Sequence, residues 1–386
     1  MNSSESPTPA PYWRLSGFYL FYFASLGALL PYWSLYLENL GYSAAAIGQL
    51  MALMMMTKIV SPNVWGWIAD HTGRRLRIVR LGSFVAMLSF AGVLLGDEFW
   101  WLALVMIAFS FFWNAALPQF EVITLNHLGA QPHRYTSIRL WGSIGFIAAV
   151  AGLGMLLDRY GTGLLPMALL LLFAGIWLST LWVSERVAPV LTASAEPLGK
   201  VLRQPQVVAL LGVCFLMQAS HGPYYTFYTI YLEGHGYSRS LIGQLWALGV
   251  IAEVGIFLIM HRLVPRFGLR KLLLASVALA GLRWLLIAWF VDNLPVLVGA
   301  QLLHAATFGV FHGAAIQLIH RYFQGRHQGR GQALYSSLSF GAGGALGALY
   351  SGFTWDAAGS TVSYVTAALI SGLAWLLAWR TLRVSP

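Results

Sequence analysis

Charged residues are scarce in this sequence: Asp, Glu, Lys and Arg make up 9% of its 386 residues, whereas hydrophobic residues make up 58%. So few charges could not cover the water-facing surface of a soluble protein of this length. There is a single cysteine, Cys214, which excludes an intrachain disulfide and a cluster of thiolate ligands. No cleavable signal peptide is visible, because the apolar run after the polar start MNSSESPTPAP is too long for a signal-peptide core.

The apolar residues form a series of long segments. Most contain about 20 residues or more, the length that an α-helix needs to cross about 30 Å of hydrocarbon. We therefore predict an all-α membrane protein with twelve transmembrane helices. They cover residues 13–37, 43–67, 76–95, 99–126, 138–157, 164–184, 207–232, 239–261, 271–291, 295–320, 330–352 and 359–380.

The net charge of +10 is distributed unevenly along the chain. All but five of the 23 lysines and arginines fall in the termini and in alternate loops on one side of the membrane. By the positive-inside rule that side is the cytoplasm, so both termini are expected there. The basic charge therefore indicates the topology of the chain in the membrane and does not indicate a nucleic-acid partner.

One passage of the sequence occurs twice. YLENLGYSAAAIGQLMAL, residues 36–53, returns after 195 residues as YLEGHGYSRSLIGQLWAL, residues 231–248, with 12 of 18 positions identical. The offset spans six predicted helices, an even number, so both copies have the same orientation in the membrane. We predict two parallel six-helix halves, residues 1–184 and 207–386, joined by a cytoplasmic linker, residues 185–206. Such halves place a transport site between them near the membrane midplane.

The loop between the second and third predicted helices has the sequence GWIADHTGRR, residues 66–75. It resembles the G-x-x-x-D-[RK]-x-G-[RK]-[RK] loop of the major facilitator superfamily. The resemblance implies the twelve-helix fold of that superfamily and a cytoplasmic gate whose contacts form and break as the halves rock. The gate residues that it implies are Gly66, Asp70, Gly73, Arg74 and Arg75.

Five formally charged residues lie inside the predicted helices: Lys58, Glu121, Arg139, Glu253 and Arg283. A charge inside the membrane is costly and marks a functional candidate. Lys58 and Glu253 occupy equivalent positions of the repeat, 195 residues apart. The alternative for each is a structural ion pair without a substrate role, and Arg139, near a helix end, could instead extend to the membrane interface.

The segments PQFE, ending at Glu121, and RLWGSIGF, beginning at Arg139, are similar to helices 4 and 5 of the lactose permease family. The resemblance implies that Glu121 and Arg139 form a pair that holds substrate. Glu253, Arg283 and His304 resemble the second-half constellation of that family, which links the substrate and proton sites.

Thr307 stands where the lactose permease family has a proton-carrying glutamate. If a proton is carried here, Glu253 or a histidine must take it. If Glu121 pairs with Arg139 and Glu253 pairs with Arg283, Lys58 has no acidic partner among the buried charges, and a carboxylate substrate would supply one. The alternative is that Lys58 shares Glu253 with Arg283.

A further similarity covers nearly the whole chain. The segments QASH (218–221), YY (224–225), LWALGV (245–250) and AEV (252–254) are similar to helices 7 and 8 of the phenylpropionate permease family. This resemblance implies a small aromatic carboxylate as substrate. Further candidates for binding it are Lys58, as the buried cation left without a partner, and His221, Tyr224 and Tyr228. The i, i+4 spacing of Tyr224 and Tyr228 places both on one helix face, although part of this aromatic cluster could belong to the interfacial belt.

The histidines of the tenth predicted helix do not indicate a metal site. His304, His312 and His320 are spaced by eight residues, which in an α-helix advances each ring by about 12 Å and rotates it by about 80°. We expect no bound metal or cofactor. His312 is expected to be structural, whereas His221 and His304 could each be either a protonatable cavity residue or a packing residue.

Taken together with these resemblances, the sequence predicts a proton-driven symporter of a bacterial inner membrane that imports a small aromatic carboxylate, acts as a monomer and has protons and a small-molecule substrate as its partners. The alternatives are a sugar or nucleoside symporter, a drug-efflux antiporter and, outside transport, a membrane enzyme or receptor. No nucleophile–base pair stands out in the sequence, and no extramembrane domain is long enough to transduce a signal.

Overall fold

A computed structural model describes residues 10–129, 131–186 and 198–382, apart from the side chains of residues 132 and 326. Residues 1–9 and most of the predicted linker, 187–197, lie outside the described residues. All regular structure in the described ranges is helical. The long helices are α1 (Tyr12–Asn39), α2 (Ala44–Thr72), α3 (Arg75–Ala91), α4 (Phe99–Leu128), α5 (Tyr135–Tyr160), α6 (Leu165–Leu181), α7 (Pro205–Ser220 and Gly222–Gly234), α8 (Arg239–Phe267), α9 (Leu269–Trp289), α10 (Leu294–Leu302, Ala305–Val310 and Phe311–Tyr322), α11 (328–358) and α12 (360–381).

The boundary between α11 and α12 lies at Gly359. The hydrogen-bonded helix runs from Gln328 to Thr381 without interruption, but Gly359 has φ +88° and ψ 171°. Only glycine adopts this conformation readily, so the residue divides one long helical stretch into two membrane spans. With this division the described part of the chain contains the twelve predicted transmembrane helices, and the predicted fold class is confirmed.

The repeated passage builds the same turn twice. Ser43 and Ser238, at equivalent positions, cap the N-termini of α2 and α8. The Ser43 hydroxyl accepts from the backbone N–H of Ala46 at 3.3 Å, and the Ser238 hydroxyl accepts from that of Leu241 at 3.2 Å. Each hydroxyl satisfies a donor that the first helical turn leaves free. The sequence identity thus reflects a shared helix-start signal.

Two glycines of the same passage allow the halves to meet. A Cβ on Gly48 of α2 would lie 2.6 Å from the backbone oxygen of Ala348 in α11. A Cβ on Gly243 of α8, the equivalent position, would lie 2.5 Å from the backbone oxygen of Val150 in α5. Both contacts join opposite halves, so α2 crosses α11 and α8 crosses α5 with backbones too close for any side chain between them.

Two carboxylates reinforce these crossings at one end of the molecule. Asp356, at the end of α11, accepts from the backbone N–H groups of Ala44 and Ala45 at 3.0 and 2.8 Å. Asp158, at the end of α5, accepts from those of Arg239 and Ser240, both at 2.8 Å. Each half therefore caps an N-terminus in the other half, and we call this end the capped end.

The opposite end carries the arginine-rich loops, and we call it the basic end. Here the arginine contacts recorded among the described residues stay within each half. Arg80 of α3 donates to the backbone oxygen of Val183 after α6 at 2.9 Å, and Arg270 of α9 donates to that of Trp379 in α12 at 2.9 Å. Both guanidinium groups bind carbonyls that a helix end leaves free. The two halves are therefore closed against each other mainly at the capped end.

Candidate functional site

The space between the two halves is divided into three adjoining chambers that all contact Leu26 of α1. The large chamber has a volume of about 450 Å³ and reaches the basic end; its polar lining includes Lys58, Glu121, Arg139, His312 and His320. The Glu253 chamber, about 270 Å³, is lined by Glu253, His304, Phe308, Arg139 and Tyr225, among others. The apolar chamber, about 150 Å³, is lined by Leu30, Met51, Met55, Lys58 and Gly344, among others. Each chamber draws residues from both halves.

Two charges of the first half, Glu121 of α4 and Arg139 of α5, line the large chamber together. Within the described residues they do not form the ion pair that we expected. The Tyr135 hydroxyl donates to Glu121 Oε1 at 3.1 Å, and the Arg139 guanidinium lies 3.6 Å above the centre of the Phe23 ring. Each charge therefore has an uncharged partner, a tyrosine hydroxyl for Glu121 and an aromatic face for Arg139, and both residues line the chamber.

Arg283 of α9 is fully buried and held by a set of acceptors within the second half. It donates to Nδ1 of His304 at 3.0 Å, to the Thr307 hydroxyl at 3.3 Å and to Oε1 of Gln301 at 3.1 Å. The expected contact between Glu253 and Arg283 is absent from the described residues because His304 lies between them, with its Nε2 3.5 Å from Glu253 Oε2. The order across the site is therefore Glu253, His304, Arg283.

This arrangement fixes the tautomer of His304. A guanidinium group can only donate hydrogen bonds, so the Nδ1 atom that faces Arg283 must be unprotonated. The ring proton then lies on Nε2, which is directed at the Glu253 carboxylate. A second proton on the ring would have to displace the Arg283 hydrogen bond. Glu253 is therefore the better placed of the two groups to gain and lose a proton.

His312 faces the cavity, contrary to our expectation of a structural residue. The rings of His304, Phe308 and His312 are nearly parallel, with successive centroids 5.4 and 5.8 Å apart. Residues Ala305–Val310 form a π-helix, which turns less per residue than an α-helix, so the rings stay on one face. The assumed 80° rotation per eight residues therefore does not apply. His312 lines two chambers, and its Nδ1 contacts the Tyr335 hydroxyl at 2.9 Å.

The aromatic face of α7 is placed differently from our expectation. His221, Tyr224 and Tyr228 are buried in the second half and line none of the three chambers among the described residues. Tyr224 packs under Arg283, 4.1 Å from ring centre to guanidinium carbon, and its hydroxyl donates to Gln301. Tyr225, one residue on and about 100° around the helix, lines two chambers instead. The i, i+4 pattern identified a packed face, so a substrate role for these three residues is not supported by their positions.

The loop that resembles the superfamily gate has its contacts inside the first half. Gly73 ends α2 with φ +65°, and Asp70 forms an ion pair with Arg75 at 2.5 Å. Arg75 also donates to Gln119 of α4 at 2.5 Å, and a Cβ on Gly66 would lie 3.8 Å from the Gln119 amide nitrogen. Arg74 precedes α3 without a side-chain cap. These contacts hold α2, α3 and α4 together at the basic end.

Lys58 of α2 lies where the large chamber and the apolar chamber meet. Among the described residues it has no hydrogen bond, no ion pair and no aromatic ring under its ammonium group. Arg139 and Arg283, by contrast, each lie over an aromatic ring, and Arg283 also donates hydrogen bonds. Within the described ranges no group of three or more His, Cys, Asp and Glu side chains is placed to hold a metal ion.

Comparison with known proteins matches this chain to transporters. The model of the MFS_1 like family, MFS being the major facilitator superfamily, matches residues 12–366. A protein of Escherichia coli K12 named probable 3-phenylpropionic acid transporter is 30% identical over 360 residues, which are 92% of this chain and 94% of that protein. The maltose permease of Geobacillus stearothermophilus is 27% identical over 87% of this chain and 86% of its own.

A crystal structure of the nucleoside transporter NupG, in a mutant form, superposes with a TM-score of 0.86. The superposition covers 96% of this chain and all of that one, at 16% sequence identity. At this identity the likeness concerns the fold alone, and it agrees with the arrangement of twelve helices in two halves.

Proposed function

The chain belongs to the MFS_1 like family of membrane transporters, and we propose that it imports a small aromatic carboxylate together with a proton by alternating access. The relative named as a probable 3-phenylpropionic acid transporter spans nearly the whole chain and supports the substrate class. The basic loops support an orientation with both termini in the cytoplasm of a bacterium, the basic end facing inward and the capped end facing outward. The proposed unit is a monomer, because each chamber is completed by the two halves of one chain.

The main support for an anionic substrate is Lys58, which has no hydrogen bond or ion pair among the described residues. The membrane interior contains three permanent or usual cations, Lys58, Arg139 and Arg283, and two carboxylates, Glu121 and Glu253. Arg283 donates to His304, Thr307 and Gln301 of the second half, and Arg139 lies over the Phe23 ring in the chamber that Glu121 lines. An ammonium group without a partner in a poorly solvated site is unfavourable. An anionic substrate would supply the missing charge, whereas a neutral one would not.

Proton coupling is assigned to Glu253. Its carboxylate faces His304 Nε2, and Arg283 fixes that ring from the other side. A proton on Glu253 would remove a negative charge from the Glu253 chamber when the substrate brings one in. The substrate and the proton then enter together without a net change in the charge between the halves, which lowers the electrostatic cost of closing the site. The inward proton gradient would bias the cycle toward uptake.

The gate role of Gly66, Asp70, Gly73, Arg74 and Arg75 remains part of this proposal. Their contacts lie within the first half while the capped end holds the two halves together. In the opposite state the capped end would separate and the basic end would close. The gate loop would then exchange some contacts within its half for contacts with the second half.

Purified protein in proteoliposomes tests the function. We expect labelled 3-phenylpropionate to accumulate when an inward proton gradient is imposed and to equilibrate without accumulation when a protonophore is added. Maltose and uridine serve as neutral comparison substrates and should not accumulate. Accumulation of aromatic acid that is indifferent to the protonophore would reject proton coupling, and export against the gradient would indicate an efflux antiporter.

Sugar symport is the second candidate, favoured by the similarity to the maltose permease. The large chamber offers several hydrogen-bonding groups to sugar hydroxyls, among them Asn114, Glu121 and Gln332. Proton-driven accumulation of maltose, with no uptake of aromatic acid, would establish this candidate and overturn the first.

A further inference from the structure

The apolar chamber differs in chemistry from its two neighbours. Of its lining residues, Lys58 alone is charged, and most of the remainder are hydrocarbon or thioether groups, notably Leu30, Met51, Met55 and Phe308. Its volume is about 150 Å³. An engineered apolar cavity of about this size in another protein stays dry and binds benzene. One six-membered aromatic ring therefore fits this space, whereas a sugar would leave several hydroxyls without partners.

The chamber has its charged group at one boundary. Lys58 also lines the large chamber, so its ammonium group lies between the apolar space and the more polar one. A ligand with its ring in the apolar chamber would place a group a few bonds away beside Lys58. The geometry thus matches a ring and a carboxylate joined by a short chain, with the ring in the apolar chamber and the carboxylate at its boundary with the large chamber.

The two halves form the chamber jointly. Met51, Met55 and Lys58 come from α2 of the first half, and Phe340 and Gly344 come from α11 of the second half. A Cβ on Gly344 would meet Met55 Cγ at 3.5 Å and Sδ at 3.6 Å, which is ordinary van der Waals contact. Gly344 itself has helical φ and ψ of −62° and −41°, so alanine would be accepted by the backbone. The added methyl group would reduce the space across from Met55.

Resting on the proposed function, we infer that the apolar chamber binds the substrate ring, that Lys58 binds the carboxylate, and that Met55 and Gly344 set the size of ring that is accepted. Specificity for the ring is thereby assigned to uncharged residues of the site.

A substrate bound in this chamber would contact both α2 and α11. Because these two helices belong to opposite halves, ring binding would be coupled directly to the contact between them.

Binding to the purified protein, measured by calorimetry, tests this assignment. The probes are 3-phenylpropionate, the two-ring 3-(2-naphthyl)propionate and the ringless butyrate. Gly344→Ala should lower the binding affinity for 3-phenylpropionate by about tenfold and leave the affinity for butyrate unchanged, because one methyl group in a fitted apolar pocket has an effect of this order. Met55→Ala should raise the affinity for the naphthyl acid relative to the phenyl acid by roughly tenfold, because the removed side chain leaves room for a second ring.

Gly372→Ala is the matched control, since this α12 glycine is exposed and a Cβ there meets nothing within 4 Å. It should bind all three probes like the parent protein. If Gly344→Ala fails to give a monodisperse protein, the ring preference of Met55→Ala decides the matter.

The two proposals fail in different ways. If the parent protein binds no aromatic acid, the proposed function fails and the ring chamber fails with it. If the parent protein binds 3-phenylpropionate but neither variant changes the preference among rings, the function stands and the assignment of the chamber is overturned. An equal loss for all three probes in Gly344→Ala would also overturn it, because that result would mean a general distortion of the site.

Discussion

The two carboxylates of the capped end should control how often the cavity opens outward. Asp158 and Asp356 each accept two backbone N–H groups from a helix N-terminus of the opposite half, at 2.8–3.0 Å. These bonds exist only while the halves are closed at this end. We therefore expect Asp158→Ala and Asp356→Ala, singly and together, to shift the population toward the outward-open state without altering either half.

The size of the shift follows from the energetics of helix capping. Replacing an N-terminal capping side chain by alanine costs about 1 kcal/mol, and a carboxylate at the positive end of the helix dipole adds a few tenths where solvent reaches it. Both aspartates are exposed, so we take about 1 kcal/mol for each. The two sites are separate and should be additive. The single variants should change the equilibrium about fivefold and the double variant about thirtyfold.

Labelling of intact cells measures this equilibrium. The native Cys214 is buried and is replaced by alanine, and a single cysteine is introduced at Leu30, which lines two chambers. A membrane-impermeant maleimide added outside should reach this cysteine only in the outward-open state. We expect the labelling rate to rise in the order parent, single variants, double variant. Asp292→Ala is the control, since this exposed acid lies between α9 and α10 and should leave the rate unchanged.

An unchanged rate in the double variant would refute the reasoning. It would mean that the glycine crossings alone, at Gly48 and Gly243, hold the capped end closed. If the labelling rate of the Asp292→Ala control rose as much as that of the double variant, the effect would be due to a general change in surface charge.

Three further predictions concern the charges of the site. Lys58→Gln should weaken binding of a carboxylate by more than tenfold, about 1.4 kcal/mol, and spare the corresponding amide; calorimetry that finds an equal loss for both ligands would contradict the anion role. Glu253→Gln should abolish uphill accumulation in proteoliposomes but retain substrate exchange, because glutamine keeps the size of the side chain beside His304 and binds no proton; retained accumulation would move the coupling site to a histidine. Arg139→Leu should abolish uptake at near-normal expression, since it leaves Glu121 without a nearby cation, and unimpaired uptake would reject its substrate role.

The sequence alone determined the number of helices and their division into two parallel halves. Apolar segments long enough to span a bilayer are visible in one dimension because backbone hydrogen bonding in lipid leaves the chain few alternatives to a helix. The repeat revealed the two halves, whereas the structure showed that its serines, Ser43 and Ser238, cap helix starts and that its glycines, Gly48 and Gly243, lie at close crossings between the halves.

The tertiary structure alone decided which side chains meet. In the structure His304 lies between Glu253 and Arg283, and Tyr225 rather than Tyr224 lines the cavity. The π-helix places His312 among the cavity-lining residues. The physical reason is that a membrane helix is apolar on its lipid face and on its packed face alike, so hydrophobic periodicity does not reveal its rotation. Rotation is fixed by contacts among several helices at once, and those contacts join residues that are distant in the sequence, such as Tyr224 and Gln301, which lie 77 positions apart.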